Sequence, residues 1–199
     1  MKVLTLLLSL LASTYGYTQA NSKPGPSDSA IVKKVKGNIK QFMRWTDHLG
    51  DNYLLLTVTN EIKSSAKTSD KELYGYHFIR KDSLVWQLTD FEKGCSFDNI
   101  VEFRNGATKI TDLDKNGLSE IWIMYSLACT SDVSPRVLKL IMYQGNKKYA
   151  IRGTSQPARN MMDEKNGGKY TLSKEFESLP QPFKDFAQKL WEQHLYDLQ

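Results

Sequence analysis

Asp112-Leu113-Asp114-Lys115-Asn116-Gly117-Leu118-Ser119-Glu120-Ile121-Trp122-Ile123-Met124-Tyr125 runs an acidic, glycine-bearing loop straight into an alternating apolar segment. Ile121, Ile123 and Tyr125 fall on one side and Trp122 and Met124 on the other. That period of two, rather than the roughly 3.6 of a helix, makes the segment a strand. The loop itself places oxygen-bearing side chains at its first, third, fifth and ninth positions: Asp112, Asp114, Asn116 and Glu120. Gly117 stands sixth, and the carbonyl of Leu118 would serve from the seventh. A hard cation such as calcium takes about six to eight oxygens from a tightly curled chain, and this spacing lets alternate residues point at one centre. One calcium ion is therefore expected here. Ile123 occupies the position where an EF-hand carries its bidentate glutamate, and the strand-like flanks also depart from that motif. The plainer alternative is a polar turn, since Asp, Asn and Gly favour turns without a metal and Lys115 adds a positive charge.

Working outward, alternation and β-forming residues predict strands over 37–45, 52–60, 72–81, 83–91, 98–104, 107–113, 119–127, 136–143 and 147–153. Tyr74, Tyr76 and Phe78 share a face, as do Leu84, Trp86 and Leu88, and Leu138, Leu140 and Met142. Asn105-Gly106 and Gly145-Asn146 are hairpin signals. The segments 63–71 and 154–173 read as mobile loops. Near the C-terminus Phe183, Phe186, Leu190, Trp191, His194, Leu195 and Leu198 recur at three- and four-residue spacing, an amphipathic helix over 182–198 with Pro182 in its first turn. His194 on that stripe reads as a rim histidine rather than a ligand. Short connections imply an antiparallel meander. The expected fold class is mainly β (α+β), one meander domain over 35–199 with the C-terminal helix packed on the sheet.

The N-terminus begins Met1-Lys2, continues as an apolar run from Val3 to Ala12, and leaves through small and polar residues to Thr18-Gln19-Ala20. This is the pattern of a secretory signal peptide over 1–20. A run of about ten apolar residues is short of the roughly twenty that span a bilayer. No cysteine follows it for acylation, and no hydrophobic tail closes the chain. The mature protein is expected in the periplasm, at the cell surface or in the medium, without an integral membrane segment. Residues 21–34, rich in Pro, Gly and Ser, read as a flexible leader.

The formal net charge of +5 fits an ordinary solvated surface. Lys33, Lys34 and Lys36 cluster, but no stripe of basic residues interleaves with aromatics, so nucleic acid is not expected as a partner. In an oxidising compartment the two cysteines, Cys95 and Cys129, point to a disulfide; two buried thiols are the alternative. The spacing excludes a CxxC redox pair, and too few ligands lie nearby for zinc.

Extended outward from the acidic loop, the chain resembles a family of small exported Bacteroidota proteins labelled surface polysaccharide biosynthesis protein. The residues that carry the resemblance are Tyr76-His77-Phe78, Cys95-Ser96-Phe97-Asp98, Thr111 to Glu120, Cys129 to Pro135, Leu140-Ile141-Met142-Tyr143 and Lys148 to Gly153. The loop alone is similar to the calcium loops of FG-GAP and VCBS repeats, although those occur in several copies and here there is one. The resemblance implies a link to the cell envelope and brings no catalytic residue with it.

The function expected on these grounds is an exported accessory protein, non-enzymatic, with a surface glycan or an envelope protein as partner. Trp45 and Tyr53 could stack on sugar rings, although aromatics belong more often to cores. A carbohydrate-active hydrolase is the enzymatic alternative and needs two carboxylates across a cleft, with Asp90, Asp98 and Asp132 as candidates. No G-x-S-x-G or H-E-x-x-H motif occurs. A protein–protein module is the third class. Ser131, Asp132 and Ser134, just after Cys129, read either as an ordinary turn or as a recognition loop.

Overall fold

Several strands of this chain are apolar on both faces, and that dictates layers. Residues 52–58 and 120–127 are buried without a break, so a sheet containing either must be covered above and below. The computed structural model, which describes residues 23–157 and 167–197, meets that demand with two facing antiparallel sheets and a cover on each outer side.

The first sheet holds β1 (Asn38–Asp47), β2 (Gly50–Val58), β3 (Ile62–Lys63), β4 (Ser69–Ile79) and β5 (Ser83–Cys95). β4 pairs with β2 and the short β3 along one side and with β5 along the other, and β1 lies outside β2. The second sheet holds β6 (Asp98–Phe103), β7 (Lys109–Thr111), β8 (Glu120–Thr130), β9 (Val137–Gln144), β10 (Lys147–Thr154) and β11 (Tyr170–Leu172). Its order is β11-β10-β9-β8, with β6 and β7 end to end along the far side of β8. The fold is therefore mainly β and meander-like, as expected, with the strands divided between two sheets.

Between the sheets lies a core that includes Leu54, Leu56, Leu73, Trp86, Val101, Ile123 and Ile141. On the outer face of the second sheet, Trp122, Met124, Leu140 and Met142 meet Phe176 of α2 (Lys174–Glu177) and Phe183, Ala187, Leu190 and Trp191 of α3 (Gln181–Gln193). On the outer face of the first sheet, Phe42, Leu55, Tyr74, Tyr76 and Phe78 are covered by Ile31, which is fully buried.

That last contact corrects the expectation of a flexible leader over 21–34. Pro26–Asp28 forms a 3-10 turn and Ser29–Val32 a short α1, because the aromatic face of β4 needs an apolar lid. Asp28 fastens this lid through an ion pair with Lys81 at 3.1 Å. The expected signal peptide, 1–20, lies outside the described residues.

Other expectations shift locally. Gly145-Asn146 closes a two-residue hairpin, with Gln144 opposite Lys147. Asn105-Gly106 does not close one: β6 and β7 both pair with β8, so the turn is an excursion in a single edge. Leu84 leaves the face it was expected to share with Trp86 and Leu88. A register shift sets it opposite Phe78 while Trp86 faces His77, and one extra residue turns a side chain to the other face. The helix ends at Gln193, with half-buried His194 as its C-cap. Of the two expected mobile loops, 63–71 includes the β3–β4 turn. The segment 154–173 contributes β11, with 158–166 outside the described residues.

Cys95 ends β5 and Cys129 lies near the end of β8, and the two form a disulfide with Cα atoms 5.4 Å apart. The bridge therefore joins one sheet to the other. No described helix is long and apolar enough to cross a membrane.

Candidate cation-binding loop

The acidic loop spans the gap between β7 and β8, and β8 decides where its last residue points. Glu120 sits in the outward row of that strand, ahead of Trp122 and Met124, with Thr111 of β7 opposite on one side and Gln144 of β9 on the other. Its carboxylate is fully buried. Oε2 accepts from the Thr111 hydroxyl at 2.6 Å and the Leu113 N–H at 2.9 Å, and Oε1 accepts from Gln144 Nε2 at 3.2 Å. The Thr111 hydroxyl is itself oriented by accepting from Trp122 Nε1 at 2.8 Å.

Above this buried carboxylate the loop curls back. The Asn116 and Gly117 N–H groups donate to the two oxygens of Asp112 at 3.0 and 3.1 Å. Lys115 and Gly117 take positive φ values of 57° and 78°, which tightens the coil. Asp112, Asp114 and Glu120 are thereby gathered, each offering an oxygen within 4.8 Å of the others, a group that can hold a metal ion. Its donors are all carboxylates, the chemistry of a hard cation. Asn116 is turned differently: its Nδ2 donates to Asp114 at 2.9 Å and its Oδ1 accepts from the Leu118 N–H at 2.7 Å. The structure therefore brings three of the four expected side chains to one point and places the Asn116 amide in the loop's own hydrogen bonds.

Burial pushes the Glu120 carboxyl above the ordinary carboxylate range, and the neighbouring charges of Asp114 and Asp112 add to the rise. The bonds from Thr111 and Leu113 oppose it without cancelling it. Three converging carboxylates with one buried are a site of stored repulsion, which a divalent cation relieves.

The turn of the β1–β2 hairpin grips this loop from the other sheet. The His48 N–H donates to the Gly117 carbonyl at 2.9 Å, and the Ser119 N–H donates to Asp47 Oδ2 at 3.1 Å. The His48 ring lies so close to Gly117 that a Cβ there would come within 2.1 Å of it. Asp47 is also held by the Leu49 N–H and by Asn52 Nδ2, each at 2.8 Å. Burial raises its carboxyl, but bonds from Asn52, Leu49 and Ser119 more than reverse that and leave it below its ordinary value.

Behind Asp47 the network enters the core. Asn52 is fully buried; its Nδ2 is spent on Asp47 and on the Gly50 carbonyl, so its Oδ1 accepts from His77 Nε2 at 2.8 Å. The His77 ring is flanked by Trp45 and Trp86, with centroids 5.5 and 5.4 Å away. Trp86 in turn stacks on Tyr143 at 3.9 Å. Burial drives the His77 pKa down to about 4 against a smaller opposing pull from Asp47, so the imidazole is neutral near pH 7. None of Asp47, His48, Thr111 and Gln144 belongs to the motif. Gln144 could have been found by extending the Gly145-Asn146 hairpin into the next strand, whereas the approach of Asp47 and His48 from the facing sheet left no local signal.

The remaining candidates fall elsewhere. Trp45 and Tyr53 are both buried, each with 7% of its surface exposed, which places them in core packing. Asp90 accepts from the Tyr125 hydroxyl at 2.9 Å and pairs with Lys139 at 2.6 Å. Asp98 is exposed on β6, opposite Thr130. Ser131, Asp132 and Ser134 form an exposed turn, in which Asp132 Oδ1 accepts from the Ser134 N–H at 2.9 Å and the Thr130 hydroxyl at 2.8 Å. The chain matches no family model, no curated protein and no solved structure.

Proposed function

We propose that this chain is an exported, non-enzymatic accessory protein of the cell envelope, linked to surface polysaccharide, whose 112–120 loop takes up one calcium ion. The observation that carries the calcium reading is the convergence of Asp112, Asp114 and Glu120 within 4.8 Å, with Glu120 buried beneath the other two. All-oxygen donors suit calcium, and a modest site of this kind fills where free calcium is abundant. Export is supported by the signal-like N-terminus and by the Cys95–Cys129 bridge, a bond that persists in oxidising compartments. The polysaccharide link rests on the family resemblance.

In this reading the ion is structural. It would draw together a loop that Asp47 and His48 already tie to the facing sheet, and so stiffen that end of the molecule. The test is thermal melting with increasing calcium. At a calcium concentration about 100 times Kd the folded state should gain about 2.7 kcal/mol, roughly 5–10 °C in Tm for a domain of this size. Asp112→Asn should abolish the rise. A wild-type Tm that ignores saturating calcium would sink the proposal.

A further inference from the structure

At the opposite end of the β1–β2 hairpin from the acidic loop, the two sheets part around a cleft of about 530 Å³. That volume is within the range of small-ligand sites, about 300–1,000 Å³. Its construction depends on one irregularity. A register shift between Ile39 and Gln41 leaves Lys40 out of the pairing, so Asn38 and Gln41 both stand on the inward face of β1. Farther along β1 that face carries the core residues Met43 and Trp45. At the cleft it carries two amides instead. Bulges that re-aim side chains recur beside functional sites.

We propose that this cleft binds a saccharide. Four amides line it, Asn38, Gln41, Asn60 and Asn105; Asn38 Nδ2 donates to Asn60 Oδ1 at 2.7 Å, and the other amide groups supply both donors and acceptors. A sugar hydroxyl needs both. The buried carbonyl oxygen of Gln41 has no partner of its own. Opposite these amides, half-buried Phe103 of β6 presents an aromatic ring to which the C–H face of a sugar can be applied. The Phe103 ring is steadied by an edge contact with Tyr125, centroids 6.2 Å apart. Lys40, Lys71 and Glu61 also line the cleft, while Glu102 is already paired with Arg136 at 2.8 Å. The amides would read a ligand by its hydroxyl pattern. This inference rests on the surface-polysaccharide reading and gives it a place on the molecule.

The test begins with the purified protein on an array of neutral and uronate-bearing oligosaccharides. The strongest ligand is then titrated calorimetrically into wild type, Gln41→Ala and Asn60→Ala, with the Tm of each variant recorded. Exposed Asn60 serves as the variant least able to disturb folding. The expected result is binding to an oligosaccharide that weakens at least 10-fold in both variants while the Asn60→Ala Tm stays at the wild-type value. Undiminished affinity in Asn60→Ala and Gln41→Ala would move the glycan elsewhere and overturn the cleft alone. No array binding at all would remove both the cleft and the glycan role, leaving the calcium loop to stand or fall by melting.

Discussion

His77 shows how one buried side chain sets a pH limit. Its pKa falls from 6.5 to about 4 on folding, so the unfolded chain binds the extra proton over that interval. The stability that neutral His77 contributes is complete above pH 6.5 and is lost as pH falls through about 4. The shift corresponds to a few kcal/mol, on the order of 3. A Tm profile from pH 7.5 to 4 should slope downward toward acid, and His77→Gln, which keeps a donor for Asn52, should flatten that slope. An unchanged slope in the variant would place the acid sensitivity elsewhere. Glu120 works in the opposite sense. Its carboxyl is raised in the folded state, so the metal-free fold holds a proton that the unfolded chain has released, and stability declines as pH rises from the unfolded value toward the folded one. Calcium competes with that proton. Calcium affinity should therefore climb with pH across the same interval, measured calorimetrically, and Glu120→Gln should lose both the climb and most of the affinity.

Among the elements, the C-terminal tail beyond α3 carries more than its short length suggests. Tyr196 bridges to Gln156 in parallel, and the Asp197 N–H donates to the Gln156 carbonyl at 2.8 Å. The Asp197 carboxylate binds Arg104, which is nine-tenths buried in the excursion between β6 and β7, and accepts from the Ser155 hydroxyl at 2.7 Å. Asp197→Ala would strand a buried guanidinium, a loss of about 3–5 kcal/mol by comparison with other broken buried pairs. Chemical denaturation of that variant checks it, and Asp185→Ala on the exposed face of α3 is the control. Equal stability of the two variants would show that the tail does not hold the excursion.

For the molecule as a whole, the disulfide is the covalent link between the two sheets. Replacing Cys95 and Cys129 together by serine releases a loop of 34 residues' separation, which the loop-entropy relation values at about 3–4 kcal/mol. The double variant should unfold at correspondingly lower denaturant concentration, and wild type under reducing conditions should match it. Because the bridge lies on strands that face each other across the core, its loss should weaken sheet-to-sheet packing before it disturbs pairing within either sheet. Near-ultraviolet circular dichroism, which reads the Trp86–Tyr143 stack, should change ahead of the far-ultraviolet signal.

How much was legible in advance follows from the range of the forces involved. Strand positions, the Gly145-Asn146 hairpin, the amphipathic face of α3 and the acidic loop are written in spacing along the chain, so the sequence alone determined the β class, the helix and the place of the acidic loop, while the structure decided which of its side chains converge. Pairing between distant residues is not written there. Only the tertiary structure decided that the strands divide into two sheets, that Ile31 covers an aromatic face, and that Leu84 turns outward at a bulge. The acidic loop itself changed least in identity and most in setting. Its residues were visible as a motif, but the burial of Glu120 between Thr111 and Gln144, and the grip of Asp47 and His48, arise from strands far apart in sequence. Local periodicity reports which face a residue needs to bury; which other segment buries it is settled only when the whole chain packs.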